Sequence, residues 1–173
     1  MEFRLCRLVA LALSGLVSLA ACSSTPTPYQ PEVDGYGYSQ QQIEGNRYRI
    51  SFAGNSYTSR NTVENYVLYR AAEIALAQDG EHFVVVSRDT EANTSYSFPG
   101  GLGGSVFGGS SGVGVGLGTG GLASPVTRYV AYADVVVYRG PKPKDDPNSY
   151  DAHEVIARIG PTLQRPPHTA GSR

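Results

Sequence analysis

Cysteine is almost absent from this chain of 173 residues, which holds two, Cys6 and Cys22. Beyond Cys22 no thiol remains for a disulfide, a zinc site or a nucleophile, so whatever folds there is held by its core alone. Histidine is nearly as scarce, at His82, His153 and His168. A basic excess is also missing, with 14 Lys and Arg against 15 Asp and Glu. That balance argues against a nucleic-acid binder and against electrostatic attachment to anionic lipid. No long hydrophobic run occurs either. The uncharged stretch Leu8 to Cys22 covers 15 residues, about 22 Å as a helix against a hydrocarbon core of about 30 Å, short for a permanent span. No H-E-x-x-H, G-x-S-x-G or paired-cysteine motif appears, and the sequence gives no reason to expect a cofactor or a metal.

What is present begins with an address. Arg4 and Arg7 precede the apolar Leu8 to Val17, and small residues follow; these are the three regions of an export signal. Leu19-Ala20-Ala21-Cys22 resembles the lipobox of bacterial lipoproteins. The resemblance implies that Leu19, Ala20 and Ala21 are read by the signal peptidase, that residues 1–21 are removed, and that Cys22 carries diacylglycerol. Removing 21 of 173 residues leaves 152, enough for one domain. Glu2, Arg4 and Arg7 leave with the signal, so 12 basic and 14 acidic side chains remain. A buried acyl chain contributes about 0.8 kcal/mol per methylene, and two or three chains anchor stably, which makes membrane lipid the first expected partner. In such lipoproteins an Asp after the cysteine favours the inner membrane. Ser23 stands there, which implies the outer membrane, facing the periplasm.

Residues 22–45 are rich in Ser, Thr, Pro, Gln, Gly and Tyr, without periodicity, and read as a lipidated flexible tether. A coil of that length would span about 25 to 30 Å. Residues 46–163 read as a small α+β domain and residues 164–173 as a disordered tail. Tyr48, Ile50 and Phe52 alternate with Arg47, Arg49 and Ser51, the period of a half-buried strand. Asn61 with Glu64 fits a capping box for a helix over Thr62 to Gln78, with Gly80 suited to close it. Val63, Val67, Ala71, Ile74 and Ala75 form its apolar stripe, and Arg70 and Glu73 are spaced to pair. His82 to Arg88 is a β-branched run, expected to end where Asp89 to Ser97 turns polar. A strand, a helix and a strand in succession predict a parallel βαβ unit. Arg128 to Arg139 should be a third strand, antiparallel to the second, and Asp151 should cap a short helix Ala152 to Ile159. The expected architecture is therefore a three-stranded sheet in the order β-α-β-β-α, packed by one main helix.

Between Gly100 and Gly121, 12 of 22 residues are glycine. Gly116 to Gly121 matches G-x-G-x-x-G, yet no helix is predicted after it and no lysine is near to meet a phosphate, which rejects a nucleotide loop. Glycines four apart from Gly100 to Gly120 suggest helix packing in a membrane, but the apolar residues between them are too sparse for a lipid-facing span. The remaining reading is a long glycine-rich loop over 99–124.

Two constellations carry potential chemistry. Asp151, His153 and Glu154 could form an acid-base or metal corner, although helix starts favour acidic residues anyway. Arg47, Arg49 and Arg88 could make a basic face for an anionic envelope component, or else a solvated strand face. Tyr29, Tyr36 and Tyr38 could bind a partner or pack on the domain edge.

Gly35-Tyr36-Gly37-Tyr38-Ser39, Asn46-Arg47-Tyr48-Arg49-Ile50-Ser51-Phe52, Gly54-Asn55, Tyr69-Arg70-Ala71-Ala72-Glu73 and Tyr150-Asp151-Ala152-His153-Glu154-Val155 together resemble a family of uncharacterised proteobacterial envelope lipoproteins. The resemblance covers most of the domain apart from the glycine tract. It implies an envelope address and supplies no activity. Two readings of function follow: a non-enzymatic periplasmic module that binds an envelope protein or polymer, or a small periplasmic enzyme or ligand-binding protein using the Asp151, His153 and Glu154 corner.

Overall fold

The computed structural model describes residues 25–97, 104–106 and 124–166. Leu19, Ala20, Ala21 and Cys22, the greater part of the glycine tract, and His168 lie outside the described residues.

The strands are β1 (Gly37–Glu44), β2 (Arg47–Ala53), β3 (His82–Ser97), β4 (Gly104–Val106), β5 (Ser124–Tyr138) and β6 (Ser149–Asp151). The helices are α1 (Arg60–Ala77) and α2 (Ala152–Ile159), followed by a 3₁₀ turn at Gly160–Thr162. The sheet runs β1-β2-β5-β3, and β4 and β6 share the far edge, β4 beside Thr94–Tyr96 and β6 beside His82–Val84. All these pairings are antiparallel. The class is α+β, but a three-stranded sheet is wrong: the described strands fill five positions.

The β2-α1-β3 succession accounts for part of the correction. β2 and β3 do run in the same direction, yet each is hydrogen-bonded to β5, which lies between them. Ala131, Ala133, Val135 and Val137 place an apolar row on one face of β5, and Ile50 and Phe52 of β2 and Phe83 and Val85 of β3 extend that row to either side. The buried row makes β5 the natural centre, and the antiparallel arrangement of β5 with β3 is as expected.

β1 takes eight residues of the expected tether, Gly37–Glu44. Gln40 pairs with Ile50 and Gln42 with Tyr48 across an antiparallel ladder, closed by a two-residue turn at Gly45-Asn46. Six of its eight residues are exposed, so it shows none of the alternation a buried strand leaves in sequence. The preceding residues are fixed as well. Tyr29 N–H donates to Gln164 O at 2.6 Å, and Asn55 N–H donates to Thr27 Oγ1 at 2.8 Å. Gln164, assigned to the tail, thus belongs to the domain, and its N–H donates to Tyr66 Oη at 2.9 Å. β3 likewise runs on through the polar Asp89 to Ser97, in continuous register with β5 as far as Ser97 opposite Ser124. β4 takes three residues of the expected loop.

Helix α1 covers one face of the sheet. Val63, Val67, Ala71, Ile74 and Ala75 are buried as the stripe requires, but Tyr66, Tyr69 and Ala72 are buried too, because α2 and the N-terminal segment close over its flank. Ser59, not Asn61, caps the helix, accepting from Thr62 N–H at 3.1 Å. Glu64 instead accepts from Arg60 and from Thr90 Oγ1, both at 2.9 Å. At the other end Asp79 takes the left-handed conformation, φ 55°. Gly80 is required for space: a Cβ there would sit 2.5 Å from Val137 Cγ1 and 3.0 Å from Ala75 O.

Tyr29, Tyr38, Tyr66, Tyr69 and Phe52 form an aromatic cluster where the N-terminal segment crosses α1. Tyr29 lies 5.0 Å from the Tyr38 ring, 5.5 Å from Tyr66 and 5.1 Å from Tyr69, the last two edge-on. Edge-on pairs of this kind add about 0.5 to 1.5 kcal/mol to the gain from burial. Tyr29 and Tyr38 therefore pack on the domain.

Candidate functional site

Helices α1 and α2 lie on one face of the sheet, and the opposite face carries the outward residues of each strand. The register lines them up in rows. Gln41, Arg49, Asp134 and Ser87 form one; Ser39, Ser51, Tyr132 and Asp89 form the next. Tyr132 and Val86 are exposed there, at 37% and 56%. A shallow depression of 360 Å³ is lined by Arg49, Ser87, Asp89, Glu91, Tyr132 and Asp134, among others.

Its electrostatics follow from strand pairing. Arg49 stands opposite Asp134 and forks onto it, Nε to Oδ1 at 2.9 Å and Nη2 to Oδ2 at 3.2 Å. Arg47 lies 3.7 Å from the same carboxylate and 3.8 Å from Glu44. The hydrogen bond from Arg49 holds the Asp134 carboxyl below its ordinary value, against a smaller upward pull from burial. Arg88 is elsewhere. It stands opposite Ala133, in register with the helix-covered row, and its charge helps to lower the Glu64 carboxyl, whose main cause is the hydrogen bond from Arg60. The three arginines are not brought into one basic face.

The Asp151, His153 and Glu154 corner is also divided. Asp151 Oδ1 accepts from Glu154 N–H at 2.9 Å and caps α2. The Glu154 side chain is exposed and pairs with Arg158 at 3.4 Å, and His153 is exposed. The capping role expected of Asp151 is the one it has. His82 is buried at the start of β3, with Nδ1 2.7 Å from Gly140 O and its ring stacked on Tyr138 at 5.4 Å. It fastens the β5 exit to the sheet. Among the described residues no group of three His, Cys, Asp or Glu side chains is arranged to hold a metal ion, and no helix is long and apolar enough to cross a membrane.

A second polar cluster was not anticipated. Tyr29 Oη donates to Glu73 Oε2, Arg70 Nη1 donates to the same oxygen at 2.7 Å, and Arg70 Nε donates to Gln40 Oε1 at 2.7 Å. The Arg70 guanidinium also lies 4.3 Å from the centre of the Tyr38 ring. Burial, then the Glu73 carboxylate, push the Tyr29 phenol well above its ordinary range. The expected Arg70–Glu73 pair is therefore the centre of a lock that joins α1, β1 and the N-terminal segment. Only the three-residue spacing of Arg70 and Glu73 was a signal for it. Gln40 and Tyr29 are 30 and 44 residues away.

No family model matches the chain, and no curated protein or solved structure shows significant similarity to it.

Proposed function

We propose that this chain is a bacterial lipoprotein, anchored through acylated Cys22 to the outer membrane, whose periplasmic domain is a non-enzymatic module that docks an envelope protein or polymer on the open face of its sheet. The observation that carries the docking surface is that face itself. Its rows place Arg49, Asp134, Tyr132, Ser87 and Asp89 side by side without a covering element among the described residues. The Arg49–Asp134 fork neutralises two of its charges in place, while Asp89 and Glu91 lie beside Tyr132, which suits contact with a mixed-charge surface. Tyr132 supplies an amphipathic ring of the kind enriched at interfaces. The anchor is supported by Leu19-Ala20-Ala21-Cys22 and by the lack of any other cysteine after it.

Two measurements test this reading. An alkyne palmitate analogue fed to cells should label the wild-type chain and not a Cys22→Ser variant; label on the variant would refute the anchor. A photoreactive phenylalanine analogue at position 132 should give a discrete adduct in intact cells, and the same analogue at the exposed position 158 of α2 should not. Identical patterns from the two positions would refute the docking face.

A further inference from the structure

The described fold begins almost at the proposed anchor. Thr25 O accepts from Asn55 Nδ2 at 2.8 Å, and Thr27 is buried, with its N–H on Thr58 Oγ1 at 2.8 Å. Two residues, Ser23 and Ser24, separate Cys22 from Thr25, and the three steps between them reach at most about 11 Å when fully extended. The expected standoff of a long tether is thus removed, and the Gly54–Ser59 loop is confined to the neighbourhood of the lipid.

The sheet adds a direction. β2 ends at Ala53 beside this loop, opposite Val130, which in turn stands opposite Glu91. β3 and β5 continue past that level as an arm, from Ala92 opposite Tyr129 to Ser97 opposite Ser124, with β4 paired along Thr94–Tyr96 at its edge. Five rises carry it about 17 Å further. The arm projects from the same end as Thr25 and is longer than the reach of the anchor. The arm carries one charged residue, the exposed Arg128 opposite Asn93, and Gly54–Ser59 carries none, with Tyr57 57% exposed there. Arg60, next in sequence, pairs with Glu64. Glu32 and Asp34, on the turn before β1, and Glu91, at the base of the arm, are exposed carboxylates of this end. Tyrosine is enriched at bilayer interfaces, and charged groups are costly in hydrocarbon, so an end of this composition stays at headgroup level. The opposite end, about 20 Å away along β2, exposes Arg139, Lys142, Lys144 and Asp145.

We propose that the Gly54–Ser59 loop and the β3–β5 arm form a membrane-contact surface seated on phospholipid headgroups, with Tyr57 at the interface and the Arg139–Asp145 end facing away. The proposal rests on the acylation of Cys22 proposed above. It leaves the open face of the sheet clear of the bilayer and free to meet a partner.

The lipidated mature chain has no free thiol, so single cysteines can be placed at will. Full-length Tyr57→Cys, Asn93→Cys and Lys142→Cys chains, produced in a host that processes lipoproteins, would be labelled with bimane. They would be reconstituted in phosphatidylethanolamine and phosphatidylglycerol vesicles containing headgroup spin-labelled lipid. Labels at 57 and 93 should be quenched several-fold more than the label at 142, and a twenty-residue Gly-Ser insertion after Ser24 should lessen the difference. Equal quenching at all three positions in acylated protein would overturn the orientation. The mass of the N-terminal peptide separates this failure from that of the anchor: a peptide without diacylglycerol refutes the anchor, whereas an acylated peptide with equal quenching refutes only the contact surface. Far-ultraviolet circular dichroism identifies a misfolded variant, and agreement between positions 57 and 93 removes dependence on either one.

Discussion

Tyr29 separates a fastened N-terminal segment from a flexible one, because composition alone makes it part of a tether while the structure buries it to 8% exposure. Tyr29→Ala removes a ring packed against Tyr38, Tyr66 and Tyr69 and the hydroxyl bonded to Glu73. Truncating a buried aromatic side chain costs about 3 to 5 kcal/mol. The cost here should fall near the lower end, about 3 kcal/mol, because the segment lies at the surface of the domain and can partly detach. With a urea m-value of about 2 kcal/mol/M, the unfolding midpoint should fall by about 1.5 M with the slope unchanged. Circular dichroism of the purified chain in a urea titration measures it. Tyr29→Phe isolates the hydroxyl. A hydrogen bond to a charged group contributes about 1.5 to 3 kcal/mol, and Arg70 remains on Glu73, so a loss of about 1.5 kcal/mol is expected. The phenol supplies a pH signature. Its folded pKa is raised, so its contribution is fully present below the unfolded value of about 10, and stability is lost as pH rises above it, by up to about 1.4 kcal/mol per pH unit. Tyr29→Phe should flatten that decline between about pH 10 and 12. A midpoint shift for Tyr29→Ala below about 0.5 M would refute the packed segment, and the short reach to Cys22 would fall with it.

The remaining predictions concern the other elements. Asp134 has a depressed carboxyl, so its pairing stabilises the fold above the ordinary carboxylate pKa of about 3.9 and is lost as pH falls through the lower folded value; acid titration of Arg49→Gln should show a shallower loss than wild type, and an identical curve would mean the fork contributes nothing. Asp151→Ala should cost about 1 kcal/mol through the lost cap, while the exposed His153→Ala should change stability by less than about 0.5 kcal/mol; thermal melts of the two, side by side, distinguish a cap from a coupled cluster. Gly80→Ala should cost about 1 to 3 kcal/mol because its methyl group would meet Val137, a loss measurable as a lower urea midpoint.

Elements with a buried face were the legible ones. β2 and α1 carry the alternation and the stripe that burial imposes, and α2 spans Ala152–Ile159 as its Asp151 cap and Gly160-Pro161 stop require. β1, with six of its eight residues exposed, and the outer half of β3, where Asp89–Ser95 are exposed or half-buried and none is buried, lacked those patterns, so their backbone partners make them strands. A local clue existed at Gly45-Asn46, a dipeptide suited to a two-residue hairpin. The polar sites divide in the same way. Asp151 and Glu154 could be read as a cap because both partners lie within one turn. The Arg49–Asp134 fork joins residues 85 positions apart, and the Tyr29–Glu73 bond spans 44.

By itself the sequence determined the α+β class, the principal helix, the core-facing residues of β2, and the Leu19-Ala20-Ala21-Cys22 motif on which the proposed anchor rests. Periodicity, caps and short motifs are local, and each is written in contiguous residues. Tertiary structure alone decided that β5 enters between β2 and β3, that the polar segments complete the sheet, and that Thr25 to Tyr29 is fastened to the domain. Strand order and the closure of an N-terminal segment depend on contacts between residues far apart in the chain, where the burial of a shared apolar row outweighs local propensity.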